Sequence, residues 1–173
     1  MIKNLNNNLT SENLLYNNIL LLSRNKFFYT KFGLSDTFQN RIHLIFVHIG
    51  FLFIKIKHDK EGKIYKSFYQ KTFDLIFSRI ELNMREIGYG DVTVNKNMKI
   101  LVKNFYDILL NCEDFMNKSE NGKNIFFSTY LNTDKDQNMA NISALIKYFD
   151  KYQAFCFDLT SDSVLQGNLK FNY

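Results

Sequence analysis

Residues 73–116 read "FDLIFSRIELNMREIGYGDVTVNKNMKILVKNFYDILLNCEDFM", and the way their apolar positions recur decides the fold class. Before the glycines, Phe73, Ile76, Phe77, Ile80, Met84 and Ile87 step by three, one, three, four and three. Lys71, Asp74, Ser78, Glu81 and Arg85 fall mostly on the other side. After the glycines, Met98, Leu101, Val102, Phe105, Leu109, Cys112 and Met116 repeat the pattern. A period near 3.6 puts each set along one stripe of an α-helix, with the charges opposite. The stretch therefore predicts two amphipathic helices, the first from about Ile64 to Ile87, joined by Gly88-Tyr89-Gly90-Asp91.

A structural turn accounts for that joint. Gly88 stands where a helix ends in the left-handed conformation, and Gly90 permits a second positive φ. Asp91 can bond the turn's own amides, and Thr93 or Asn95 is expected to cap the next helix. A phosphate cradle needs its glycines after a strand and a Gly-Lys-Ser or Gly-Lys-Thr to follow, and neither is present. A calcium loop needs oxygen ligands at alternating positions and a closing Glu, which are also missing.

Working outward, Thr10 or Ser11 can cap a helix from about Glu12 to Asn25. Ser35 or Asp36 is the expected cap of an apolar helix reaching about Lys57, and "HDKEGK" is a polar turn. "KSENGK" breaks the pattern after Met116, and weaker helices follow near Asn124–Leu131 and Asn138–Phe157. The tail from Asp158 reads as short turns. No alternating run is long enough for a sheet. The expected architecture is all-α: a single irregular bundle of about six helices over residues 12–173, after a flexible Asn-rich segment 1–11.

At 173 residues the chain suits one domain, and 46% hydrophobic residues with a mean hydropathy of -0.24 exclude a disordered one. The apolar run Ile42–Ile54 covers about 20 Å as a helix, whereas a bilayer needs about 20 residues. With His43 and His48 inside it, it reads as a core helix buried nearly all round. The formal charge of +5 favours an anionic partner, but no Lys/Arg run marks a DNA-binding patch. The densest basic cluster, Lys55, Lys57, Lys60 and Lys63, is diluted by Asp59 and Glu61 and reads as a solvated face. Cys112 and Cys156 are expected as buried free thiols. The N-terminus lacks the order of a secretory signal or a mitochondrial presequence, so the expectation is a bacterial cytoplasmic protein.

Catalytic chemistry finds no foothold. His43, His48 and His58 lack metal-ligand spacing, and no Gly-x-Ser-x-Gly elbow exists. Asp74 and Glu81, seven apart, share a helix face that reads as solvated or partner-facing rather than as a metal site. No catalytic residue, metal or cofactor is assigned.

The stretch from Phe73 to Tyr106 resembles the central signature of the ubiquinol–cytochrome c chaperone family, the assembly factors of the cytochrome bc1 complex. That signature runs Asp-Met-Asp, Asn-Leu-Arg-Glu and Gly-Val-Gly-Asp into a basic helix ending Phe-Tyr-Gly-Arg. Glu81 stands for the second aspartate; Asn83, Met84, Arg85, Glu86, Gly88, Gly90 and Asp91 follow in register, and Phe105 and Tyr106 match the aromatic pair. Upstream, Phe28, Tyr29, Asp36, Thr37, Arg41 and His48 occupy the family's other places. The resemblance covers about residues 24–116. Arg79, Tyr89 and Asp107-Ile108 depart from it, and the C-terminal third aligns little.

The resemblance implies a non-enzymatic chaperone whose client is newly made cytochrome b. Mitochondrial members also act with a small partner protein and at the ribosome. Asp36, Arg41, His48, Asp74, Glu81, Arg85, Glu86, Asp91 and Tyr106 are the partner-binding candidates, with Gly88 and Gly90 as the structural turn. For the charged ones the competing reading is a cap, an intrahelical pair or a core-closing salt bridge. Two other classes stay open: a peripheral membrane or lipid-binding module at the inner membrane using the helix from Ile42 and the Lys55–Lys63 cluster, and an all-α enzyme for an apolar substrate.

Overall fold

The computed structural model describes residues 10–59, 62–133 and 139–173. The Asn-rich segment 1–9, Lys60 and Glu61 of the polar turn, and Asn138 at the expected start of the last long helix lie outside those residues. The elements in chain order are α1 (Ser11–Ser23), α2 (Phe27–Thr30), α3 (Phe38–Asp59), α4 (Lys63–Glu86), α5 (Asp91–Glu113), a 3-10 turn at Phe115–Asn117, α6 (Glu120–Tyr130), α7 (Met139–Asp158) and α8 (Ser161–Leu165). Six of these helices are long, and the described residues include no strand beyond an isolated Leu34–Thr133 bridge. The all-α bundle is as expected.

Helix α3 is the axis. Leu44, Phe46, Val47, Ile49, Phe51, Leu52, Phe53 and Ile56 are fully buried on every side of it, because α1, α4, α5, α7 and α8 all pack against it. An all-round apolar helix is stable in water only when surrounded in this way. No helix among the described residues is long and apolar enough to cross a membrane.

The caps differ from expectation in several places. Thr10 caps α1, its hydroxyl accepting from the Asn13 amide at 3.3 Å. At α3 neither Ser35 nor Asp36 caps; Thr37 accepts from the Asn40 amide at 3.2 Å. Asp36 is already taken by a bidentate pair with Arg41, at 2.7 and 2.9 Å. The "KSENGK" break is a helix start instead, with Ser119 accepting from the Gly122 amide at 3.1 Å, so α6 begins earlier than read. The tail holds one more short helix, α8, capped by Thr160.

Long-range ties hold the helices in register. Buried Asn40 donates to the carbonyls of Ser35 and Asn132, both at 2.7 Å, and accepts from the Asn132 amide at 2.9 Å. Lys55 is not on a solvated face. It is 8% exposed, donates to the Phe157 carbonyl at 2.8 Å and pairs with Asp59 at 2.9 Å. Ser161 donates to the same Asp59 carboxylate, and these two donors hold its pKa below the usual carboxylate range. Lys57 is paired with Glu113. Gly167 lies against α1 with φ +76, and its carbonyl accepts from Asn18 at 2.8 Å.

A groove and a charged joint at the family signature

The α4–α5 joint closes by a backbone device that only one of its glycines needs. Gly88 has φ +95, its amide bonds to the Arg85 carbonyl at 3.0 Å, and the Tyr89 amide bonds to the Met84 carbonyl at 3.0 Å. This is the Schellman pairing that satisfies the last carbonyls of a helix. Gly90 does not take a second positive φ. It is extended, at φ -72, and serves as N-cap of α5, which therefore starts at Asp91 rather than after Thr93 or Asn95.

Because the joint is tight, Asp91 comes back to α4. Arg85 Nε and Nη2 donate to Glu81 at 3.1 and 2.9 Å, and Arg85 Nη1 donates to Asp91. Glu81, Arg85 and Asp91 thus form one surface triad, and Asp91 contributes to it rather than to turn amides. The two carboxylates raise the Arg85 pKa, Asp91 foremost.

The next residue, Glu86, lines a groove where α1, α3 and α4 meet. Tyr16, Leu20, Ile42, Ile45, Ile80 and Ile87 supply its apolar lining, and Ser23, Arg24, Phe38, Arg41, Asn83 and Glu86 complete it. It encloses about 220 Å³. Arg24 and Glu86 carry no ion pair among the described residues, whereas Arg41 is held by Asp36. The groove has the makeup of a recognition surface: an apolar floor for an anchoring side chain, and a rim bearing both signs of charge.

The other candidates are dispersed. Asp74 is exposed on α4 and accepts from Gln70 at 2.7 Å; it and Glu81 belong to no group of metal-holding side chains among the described residues. Tyr106 is exposed on α5, while its neighbour Phe105 is buried among Phe46, Phe53, Phe73 and Phe77. His48 has no surface in this fold. It is fully buried, with Nδ1 2.6 Å from the Leu44 carbonyl and Nε2 2.8 Å from the Tyr148 hydroxyl. That geometry has Nδ1–H donate and Nε2 accept, and burial lowers its pKa to about 4. His43 is held the same way, 2.5 Å from the Tyr130 carbonyl and 3.2 Å from Asn104.

Sequence reasoning missed Arg24, Asn83 and the apolar lining. Asn83 lay inside the signature, but Arg24 caps the end of another helix and no spacing rule connects it. The departures from the signature also find places. Arg79 reaches Asn13 of α1 at 3.4 Å, Tyr89 is exposed on the turn, and Ile108 is in the core.

Comparison with known proteins agrees with the fold. A crystal structure of the Cbp3 homolog from Brucella abortus superposes with a TM-score of 0.78 at 20% identity, covering 94% of this chain and 89% of that one. That likeness establishes the fold. No curated protein matches the sequence. The ubiquinol-cytochrome C chaperone family model matches residues 30–171, which carries the likeness well into the C-terminal third where sequence reading aligned little. The match takes in the Asp36–Arg41 clamp, the triad at the joint and most of the groove, and the chain belongs to the ubiquinol-cytochrome C chaperone family.

Proposed function

We propose that the protein is a non-enzymatic assembly chaperone of the cytochrome bc1 complex, holding newly made cytochrome b at the cytoplasmic face of the inner membrane. The observation that carries this reading is the α1–α3–α4 groove, apolar at its floor and rimmed by Arg24, Arg41 and Glu86. A client built of transmembrane helices presents apolar side chains ending in polar loops, and such a groove suits that boundary. Arg24 and Glu86 select the loop charge, and Asp36 keeps Arg41 in its rim position. The Glu81–Arg85–Asp91 triad lies at the α4–α5 joint outside the groove, none of whose lining residues comes from α5. Ribosome contact or a small partner protein would use other surfaces. The lipid-binding alternative based on the helix from Ile42 loses support, since that helix is enclosed and Lys55 is committed to Asp59.

The test is affinity purification of the tagged protein from gently solubilised membranes of its native host, with mass spectrometry of what is retained. The wild type and Arg85→Ala are expected to retain cytochrome b. The rim variant Asn83→Arg with Glu86→Lys is expected to lose at least about tenfold of it, the scale of a disrupted interface anchor. Circular dichroism checks that each variant is folded. Cytochrome b missing from the wild type rejects the client, and equal recovery from the rim variant rejects the groove.

A further inference from the structure

Helix α5 presents a second surface that the client reading leaves unused. Val92, Lys96, Lys99, Lys103, Tyr106 and Leu110 are all exposed and follow one another by four, three, four, three and four residues. They form one straight solvent-facing row, about 27 Å long at 1.5 Å per residue. Val94, Leu101, Phe105, Ile108 and Cys112 lie on the opposite side, buried. No ion pair reaches the three lysines among the described residues. The acids near the ends of the row are committed elsewhere, Asp91 to Arg85 and Glu113 to Lys57. Half-buried Asp107 is the acid left beside it.

We infer that this row lays the protein on an anionic phospholipid surface. Two features of the row favour lipid over RNA or an acidic protein. First, α5 contains no arginine. Structured phosphates and carboxylates are read best by the forked guanidinium, whereas lysine ammonium groups act as point charges suited to a diffuse field. Second, the lysines are bracketed by exposed apolar side chains. Val92 is 84% exposed and Leu110 65% exposed, with Tyr106 between Lys103 and Leu110. A phosphate backbone offers such groups nothing, while the boundary between headgroups and acyl chains takes them up and suits tyrosine especially. The surface lies on the solvent side of α5 and uses none of the residues that line the groove.

The inference is tested with purified full-length protein and lipid alone, so its outcome is independent of the client. Sedimentation with vesicles of phosphatidylcholine is compared with vesicles of roughly equal parts phosphatidylcholine and phosphatidylglycerol, at low and high salt. Binding is expected to the anionic vesicles and to weaken with salt. The triple variant Lys96→Gln, Lys99→Gln, Lys103→Gln is expected to lose about fivefold in partition per lysine and about a hundredfold in all. Leu110→Ser, with every charge kept, is expected to weaken binding too. A control with the same net charge, Lys26→Gln, Lys31→Gln, Lys147→Gln, is expected to bind nearly as the wild type. Equal losses in the two triple variants, or no preference for anionic vesicles, would overturn the inference. So would a row variant that loses affinity for purified ribosomal RNA while its vesicle binding is unchanged.

Discussion

Lowering the pH from 7 to 5 is expected to destabilise this fold through His48, by an amount the structure lets us work out. The imidazole is fully buried and keeps a pKa of about 4, against 6.5 when free. Above pH 6.5 it is neutral in both folded and unfolded chains, and its stabilising contribution is complete. As the pH falls through 6.5 the unfolded chain takes up a proton that the folded chain cannot accept. Stability is therefore lost progressively until about pH 4, where the folded form also titrates. At 1.36 kcal/mol per unit this amounts to about 2 kcal/mol between pH 7 and pH 5. Urea unfolding at the two pH values measures it in the wild type and in His48→Gln. The variant starts about 1–3 kcal/mol less stable at pH 7, because the amide keeps an acceptor for the Tyr148 hydroxyl but loses the Nδ1–H bond to the Leu44 carbonyl and the ring's packing against Phe28, Phe149 and Tyr152. Its further loss on going to pH 5 is expected to be smaller than the wild type's by about 2 kcal/mol. His43 and the carboxylates titrate in both proteins and cancel in the comparison. An equal acid-induced loss in the two would falsify the assignment of His48 as a buried neutral imidazole.

Three further perturbations follow from the ties between elements. Asn40→Leu leaves the Asn132 amide without its acceptor beside α3, while the Ser35 and Asn132 carbonyls each keep a backbone donor, and urea unfolding at pH 7 is expected to show a loss of about 1–3 kcal/mol. Gly167→Ala is expected to destabilise more than Gly88→Ala. Both have positive φ, but a Cβ at Gly167 would come within 2.6 Å of the Ser11 carbonyl and 2.7 Å of the Leu15 amide, whereas one at Gly88 meets open space. Strain alone puts Gly88→Ala at about 1–2 kcal/mol, and thermal melts of the two variants side by side check the order. Arg85→Ala is expected to leave the melting temperature nearly unchanged, since its pairs are solvent-exposed. It should raise amide exchange at residues 88–92, where Asp91 loses its partner.

Much of this structure depends on residues close in the chain, and that part was legible. The stripes of α4 and α5 follow from spacing alone, as does Gly88 at the end of α4, since helix periodicity and termination depend on neighbours within about four positions. Local rules failed where two options competed for the same groups. Thr37 caps α3 because Asp36 is engaged by Arg41, and Gly90 needs no positive φ because Gly88 has already reversed the chain.

In α3 the pattern was saturated, so nothing in the sequence told which side of the helix His48 or Lys55 would face. Their fates depend on Tyr148, Phe157 and Asp59, brought in by α7 and by the end of α3 itself. The signature at 81–91 marked the right end of the molecule but joined two different things. Its Glu81, Arg85 and Asp91 brace the joint, and its Asn83 and Glu86 line the groove with Arg24, which caps the end of α1. What the sequence determined by itself was the six long helices, their apolar faces and their family; the short α2 and α8 read only as a link and as turns. Only the tertiary structure decided which charges meet and where the groove opens, because both depend on the crossing of helices whose residues lie some 60 positions apart along the chain.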